Sequence, residues 1–356
     1  MSTESFEAKV ITESGNESTN EVLVSIIMPI FNRARFLADA IASIKAQQYQ
    51  NWELFIVDDG SSDNSIEILS KLIIGVTQSI TIIQQPNQGP AAARNCGIKK
   101  SKGDFVAFFD SDDLWLPHHL KNCIAAFSAH PELSWVYSAC ERIEYDTGQC
   151  LQASTFYSDG QPNKLFDISR KCADGTYLLD TQKAILLQLN QGLDNGLQNS
   201  VLKKEILNKH LIPNYRVGED RLFIIMALKS GFKMGFIDAI HVRYHVHDEN
   251  ISDTNKNEPN YSKRIESLKR LIHAKQELPK LVRLNPSELR VFKEQLSKEV
   301  FWELGYSLYQ ASGDYKNALN CYLKGIALGP SDFSYYKTLI ISLFKYLLAT
   351  IQGNKK

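Results

Sequence analysis

From residue 22 onward, hydrophobic positions fall into short continuous runs separated by stretches with helical spacing. VLVSIIMPI is almost wholly apolar, rich in β-branched residues and closed by Pro29, the pattern of a strand buried on both faces. WELFIVDDG, ITIIQQPN and DFVAFFDSDD repeat that signature. Between them Phe36, Leu37, Ala40, Ile41 and Ile44, then Ile66, Ile68, Leu69 and Leu72, then residues 91–98, recur at helical intervals. Strands alternating with helices of this length predict βαβ units and a parallel sheet, because parallel neighbours need a crossover. With right-handed crossovers and the fourth strand returning beside the first, the strand order becomes 3-2-1-4. Ligands of such sheets bind outside the carboxyl ends of the strands where that order reverses. Residues 29–32, 58–62, 86–89 and 110–113 occupy those positions.

Beyond residue 134 the pattern is less regular. WVYSACERIEY reads as a strand, 146–175 as polar loop and TYLLDTQKAILLQLN as a helix. GLQNSVLKKEIL reads as a strand leading into a helix, GEDRLFIIMALKSG as a helix, and FKMGFIDAIHVRYHVH as a closing β-rich piece. Residues 253–260 have linker composition, and 261–356 are helical in period, with Pro279, Pro286 and Pro330 as punctuation. Residues 1–21 carry Glu4, Glu7, Glu13 and Glu17 against Lys9 and contain no apolar h-region, so they read as a flexible acidic tail.

A chain of 356 residues exceeds one ordinary core and predicts two or three folding units. Forty Lys and Arg balance forty Asp and Glu, so no global field gathers nucleic acid. Six cysteines without CxxC or zinc-ligand spacing read as buried thiols, suited to a reducing, cytoplasmic compartment.

Asp58 to Ser62 and Asp110 to Asp113 can each be explained as turn and capping residues. Two carboxylate clusters at neighbouring strand ends are harder to explain so, because mutual repulsion opposes them unless a cation or donors neutralise them. Mg²⁺ and Mn²⁺ take oxygen ligands, commonly one or two carboxylates plus substrate phosphates. Carboxylates at a nucleotide crevice therefore suggest a metal-bound diphosphate. No GxGxxG follows the first strand and no GxxxxGK[ST] occurs, which weakens the oxidoreductase and P-loop readings.

VSIIMPIFNRARFLADAIASIKAQQYQNWELFIVDDGSSDNS followed by PNQGPAAARNCGIKKSKGDFVAFFDSDDLWLP resembles the nucleotide-sugar-binding half of the family 2 glycosyltransferases. The resemblance implies an α/β GT-A fold over 22–252, with a nucleotide-sugar half (22–117) and an acceptor half (118–252), ahead of the helical region. It implies that Pro29, Phe31 and Asn32 line the nucleotide base, that Asp59 accepts from the uracil edge, and that Arg94 and Asn95 lie near the nucleotide and sugar. Asp110 and Asp112 match the DxD signature, Asp110 facing the ribose and Asp112 holding Mn²⁺ or Mg²⁺. Gly218-Glu219-Asp220-Arg221 resembles the family's ED motif, which makes Asp220 the catalytic base and Glu219 an acceptor contact; alternatively, acids in a first helical turn merely favour the macrodipole. His247, with Asn250 and Ser252, matches a short family pattern implying contact with diphosphate or metal, and His245 stands where the family carries Arg.

The implied reaction is inverting transfer from a nucleoside-diphosphate sugar to a glycan or glycolipid hydroxyl. A metal-dependent nucleotidyltransferase and a non-catalytic glycan-assembly partner are the alternatives. Leu197-Gln198-Asn199-Ser200 sits where the family shapes the acceptor pocket. FWELGYSLYQASGDYKNALNCYLKGIALGP resembles one tetratricopeptide-like hairpin through Trp302, Leu304, Gly305, Tyr306, Ala318, Tyr322 and Pro330. Seven Lys or Arg between Tyr261 and Arg283 read as a solvated face or, more sharply, as peripheral contact with anionic lipid. YYKTLIISLFKYLLATI reads as bundle core or interfacial helix.

Overall fold

The computed structural model describes residues 7–10, 22–250, 261–329 and 332–353. Two compact units emerge: Met1–Leu187 with Gly192–His247, and Gln188–Gln191 with Asp248–Lys356. The expected linker at 253–260, Ser252 and Pro330 lie outside the described residues.

In the first unit the elements run β1 (Glu7–Val10), β2 (Val24–Ile30), α1 (Leu37–Lys45), β3 (Trp52–Asp58), α2 (Ser65–Leu72), β4 (Ile80–Gln84), α3 (Pro90–Lys100), β5 (Phe105–Phe108), β6 (Leu114–Trp115) and α4 (His119–Ala129). There follow β7 (Leu133–Glu144), β8 (Cys150–Gln152), the small ladder β9 (Tyr157–Ser158) with β10 (Gln161–Pro162), β11 (Ser169–Lys171), β12 (Thr176–Leu179), α5 (Thr181–Asn190), β13 (Ser200–Lys203), α6 (Lys204–Lys209), α7 (Glu219–Lys229) and β14 (Lys233–Val246).

One twelve-stranded sheet runs β1-β4-β3-β2-β5-β13-β7-β14-β12-β11, with β6 paired to β14 and β8 to β7. The four apolar runs occupy β4-β3-β2-β5, all parallel, so the expected 3-2-1-4 order holds and the reversal lies between β2 and β5. Past β5 the sheet turns mixed: β13 is antiparallel to both β5 and β7, and β14 returns parallel to β7.

Several expectations change. The stretch 146–175, read as polar loop, carries β8, β9, β10 and β11, because their ladder partners supply pairing that the local polar composition does not reveal. Within the expected acidic tail, Glu7–Val10 is a strand antiparallel to β4, where it pairs backbone groups on an otherwise open sheet edge. Thr176–Leu179, read as the start of a helix, is strand β12; its pairing with β14 on one side and β11 on the other overrides the helical spacing, and the helix begins only at Thr181. Cys123, Cys140 and Cys321 are buried as expected, but Cys150 is exposed in the antiparallel ribbon with β7.

Close packing fixes α3 against the sheet. Gly97 of α3 faces Ile27 of β2, and a β-carbon there would meet Ile27 Cγ2 at 2.7 Å. Buried polar groups secure the opposite ends of the strands: the Ser25 hydroxyl donates to Glu53 (2.6 Å), and the Gly103 and Lys102 amides donate to Ser25 (2.8 Å) and Glu53 (2.7 Å).

In the second unit, α8 (Tyr261–Leu281) precedes α9 (Pro286–Lys298), which Asn285 and Glu288 start with a reciprocal capping box. Pro279, expected as punctuation, lies inside α8 near its end. After α9 the chain continues in wider π-helical turns over Glu299–Gln310, then α10 (Tyr315–Ala327) and α11 (Phe333–Gly353). Phe301, Ala318, Tyr322 and Tyr335 form its core, and Gly305 and Gly325 allow close approach to Tyr322 and Phe301. Tyr306, part of the hairpin resemblance, is instead exposed. No helix among the described residues is long and apolar enough to cross a membrane.

The α3–β2 contact yields a direct test. Gly97→Ala overpacks it and should cost about 1–3 kcal/mol, seen as a lower denaturation midpoint with unchanged slope.

Candidate active site

The crevice is built on two loops that lock together past the ends of β2 and β3. Asn32 adopts a left-handed backbone (φ 52°), tolerated by Asn, and its side-chain oxygen accepts from the Ser62 amide at 2.8 Å. Its own amide donates to Ser61 Oγ at 2.9 Å, and the Ala34 amide donates to Asp63 at 3.1 Å. The neighbouring Phe31 is left exposed, whereas Pro29 and Asn32 are half-buried.

Asp59 is buried, and its carboxylate serves the chain itself. It accepts from the amides of Gln88 (2.8 Å) and Gly89 (2.7 Å) and from the Gln85 side chain (2.8 Å). Three of the roughly four acceptor positions of a carboxylate are thereby used. Gly89, at φ 91°, turns the chain into α3, whose N1 residue is Pro90.

Arg94 projects from α3 and is 7% exposed. Its Nη2 donates to Asp110 at 2.6 Å and its Nη1 to Glu219 at 3.0 Å. One guanidinium thus joins the Asp-rich loop after β5 to the first turn of α7. Burial opposes the charge, but Asp110 and Glu219 outweigh that penalty and raise the Arg94 pKa further. Arg94 Nε has no partner within the protein among the described residues. Asn95 turns the other way, clasping the backbone of Ile212 with both ends of its amide (2.8 and 3.0 Å). That clasp anchors the segment leading into α7, where Gly218 adopts a left-handed backbone (φ 87°) before Glu219.

Asp112 faces His247 Nε2 at 3.2 Å and Arg33 Nε at 3.5 Å. Burial alone would raise its carboxyl, but the His247 hydrogen bond and the Arg33 charge hold it below its usual value. His245 and His247 alternate at the end of β14 and address the same loop. The His245 amide donates to Asp113 Oδ1 at 3.0 Å, and His245 Nδ1 lies 2.8 Å from the Asp112 carbonyl. Burial, then the charges of Asp112 and Asp110, push the Asp113 carboxyl well up, and its Oδ2 has no hydrogen-bond partner among the described residues. Arg33 was missed by sequence reasoning, and Asp113 was read only as a member of the Asp110–Asp113 cluster, with no role of its own.

Glu219 is buried, and its carboxyl is pushed up to about 7 by burial and then by the Asp220 charge, against the pull of Arg94. Asp220 is half-buried and accepts from the Arg221 amide at 2.7 Å. The loop expected at an acceptor pocket is tied down internally: Asn199 accepts from the Gly196 amide (2.9 Å), and the Gln198 carbonyl accepts from Trp115 Nε1 (2.8 Å). Asn250 falls in the second unit and is buried.

Asp112 and His247 suit a divalent cation: an ionised carboxylate and an imidazole within 3.2 Å of each other are ligand types that Mn²⁺ accepts. Among the described residues no third protein ligand completes that pair. An ion there would take its remaining ligands from phosphate and water.

Residues 25–193, just under half of the chain, match the family described as Glycosyl transferase family 2. An uncharacterized glycosyltransferase of Haemophilus influenzae is 48% identical over 94 residues, which span 26% of this chain and only 38% of that relative. Among solved structures, Staphylococcus aureus TarS 1–349 in complex with UDP-GlcNAc superimposes with a TM-score of 0.58 at 18% identity, covering 86% of this chain and 81% of that one. A mannosyltransferase from Pyrobaculum calidifontis in complex with GDP-Man and Mn²⁺ gives 0.53 at 16%, covering 93% and 86%. These likenesses establish the GT-A fold class, α/β with a C-terminal helical region.

Glu219 sets a pH dependence. Its carboxyl ordinarily titrates near 4.5 and in the fold near 7, so the folded state binds the proton more tightly. The stability this contributes is complete below the unfolded value and is lost as pH rises through the folded one. Glu219→Gln should therefore flatten the fall in thermal midpoint between about pH 5 and about pH 7.5, measured by circular dichroism.

Proposed function

We infer that the chain is an inverting glycosyltransferase that moves a sugar from a nucleoside-diphosphate sugar to a hydroxyl of a glycan or glycolipid acceptor. The observation that carries this reading is the Asp110–Arg94–Glu219 bridge, which draws the donor loop and the first turn of α7 into one crevice. UDP as the nucleotide is supported by the TarS likeness, whose complex holds UDP-GlcNAc.

In this reading Phe31, exposed beside Pro29 and Asn32, packs against the base, and Asp59 fixes the loop that frames it. Asp110, with one oxygen on Arg94, keeps acceptor capacity for ribose hydroxyls. Asp112 and His247 would hold Mn²⁺ or Mg²⁺ against the diphosphate, and such an ion stabilises charge developing on the leaving group. Asp220 takes the proton of the acceptor hydroxyl. The acceptor oxygen forms its bond to the anomeric carbon as the carbon–oxygen bond to phosphate breaks from the opposite face. The electron pair leaves with the nucleoside diphosphate, so the anomeric configuration inverts. Neighbouring Glu219, ion-paired to Arg94, positions Asp220 at the helix start. Exposed Phe333, Ile340, Ile341 and Phe344 on α11 support peripheral contact at the cytoplasmic face of a membrane that carries the acceptor.

Two variants test the assignment. Asp112→Ala should abolish the Mn²⁺-dependent part of UDP affinity in calorimetric titrations; an unchanged Mn²⁺ dependence refutes the metal role. Asp220→Asn should keep UDP binding while turnover of a UDP-sugar panel falls by roughly 10²–10⁴-fold. Near-normal turnover means another base, and release of pyrophosphate in place of UDP would identify a nucleotidyltransferase.

A further inference from the structure

A second constellation lies apart from the carboxylate crevice. His119 and Cys123 stand one turn apart on α4, so both side chains leave the same face of the helix. His241 approaches them from β14, at a point where its register with β7 is irregular. All three are buried, and their ligating atoms lie within 4.8 Å of one another. His119 Nδ1 is 3.3 Å from His241 Nδ1 and 3.9 Å from Cys123 Sγ.

The first separation matches an edge of a metal tetrahedron and the second is a few tenths of an ångström longer. With metal–nitrogen bonds of about 2.0–2.1 Å and a metal–sulfur bond of about 2.3 Å, tetrahedral angles put nitrogens about 3.3 Å apart and sulfur about 3.6 Å from nitrogen. The surroundings also fit. His241 Nε2 lies 3.4 Å from the Asn122 side-chain amide, whose oxygen can accept the ring proton once Nδ1 binds an ion. The Trp115 ring packs 4.5 Å from that of His119, and the His118 ring packs 4.7 Å from that of His241. Sequence spacing conceals the site, because its third ligand is 118 residues beyond Cys123, outside the usual short zinc signatures.

We propose that His119, Cys123 and His241 form a structural site for a borderline-soft divalent ion of the Zn²⁺ class. The histidines bind through Nδ1 as neutral imidazoles. The Cys123 thiol releases its proton to solvent on binding and contributes the thiolate. The ion joins α4 to β14 where the Leu116 amide donates to the His241 carbonyl (2.8 Å), four residues before the His245 amide that holds Asp113. Its work is therefore to pin the strand that presents His245 and His247, separately from any ion taken with the nucleotide.

The test uses the full chain, purified without added metal and titrated with Co²⁺ in the absence of nucleotide. The expected result is about one ion per chain by mass spectrometry of the purified protein. Co²⁺ should then give the near-ultraviolet thiolate charge-transfer band and intense visible bands of a four-coordinate site, and Zn²⁺ should displace it. Cys172→Ser must keep these bands, because Cys172 belongs to a second, partly exposed group with His130 and Asp174. Cys123→Ser must lose the charge-transfer band, and His241→Gln must weaken binding roughly tenfold or more. Absence of the thiolate band in the parent chain overturns the proposal whether or not the variants fold. So does its loss in Cys172→Ser with retention in Cys123→Ser. Either outcome leaves the two imidazoles sharing an ordinary N–H···N hydrogen bond.

Discussion

Repulsion between like charges is the constraint on which this molecule's crevice depends. Asp110, Asp112, Asp113, Glu219 and Asp220 arrive from two distant chain segments, and five carboxylates cannot all remain ionised in partly buried surroundings without compensation. Four of them are compensated in three ways. Arg94 takes Asp110 and Glu219 together, His247 and Arg33 take Asp112, and Asp113 is pushed toward its neutral form. The result is a graded set: one carboxyl held below its usual range, others held above it, within a single loop and one helical turn. Breaking a buried pair by removing one partner costs several kcal/mol, so Arg94 cannot be lost without also freeing the loop after β5 from the start of α7.

Much of the fold could be read from sequence because β2, β3, β4 and β5 are buried on both faces and so carry uninterrupted apolar runs. Their order followed from right-handed crossovers once the fourth strand was set beside the first. The harder half illustrates why local patterns fail. TYLL has helical spacing when read with the residues after it, yet it becomes β12 because β14 offers it a hydrogen-bonding edge, a partner 57 or more residues away. Pro279 survives inside α8 because it lies in the last turn, where few turns remain to be disrupted. Glu7–Val10 pairs with β4 although its composition is that of a tail, since an open edge needs backbone partners and is indifferent to side chains.

The candidate site was legible in residue type but less so in role. Asp59 and Asn95 were singled out as ligand contacts, and both spend most of their hydrogen-bonding capacity on the chain's own backbone. This is consistent with a site whose geometry is set before a ligand arrives: a carboxylate that fixes two loop amides holds its loop rigid, and rigid loops avoid ordering costs on binding. Arg33 leaves no pattern in the sequence, and Asp113 shows there only as one member of the Asp110–Asp113 cluster. An Arg in a loop reads as solvated, and an Asp next to two others reads as one more member of a turn.

His245 shows how the charge of the crevice can be redistributed. In the resembling family this position carries Arg, a permanent cation. Burial lowers the pKa of His245, so at neutral pH it contributes a hydrogen bond to the Asp112 carbonyl and an amide to Asp113, but little charge. A crevice that lost a cation and kept its carboxylates would hold Asp112 less firmly ionised. Arg33, reaching Asp112 from the loop after β2, restores positive charge to that carboxylate from the other side of the strand reversal. Because Arg33 sits on the Asn32 loop that is latched to Ser61 and Ser62, the compensating charge is coupled to the conformation of the loop beside the exposed Phe31. Movement of that loop would change the ionisation of Asp112 as well as the shape of the crevice, a coupling that an Arg on the rigid strand β14 would not produce.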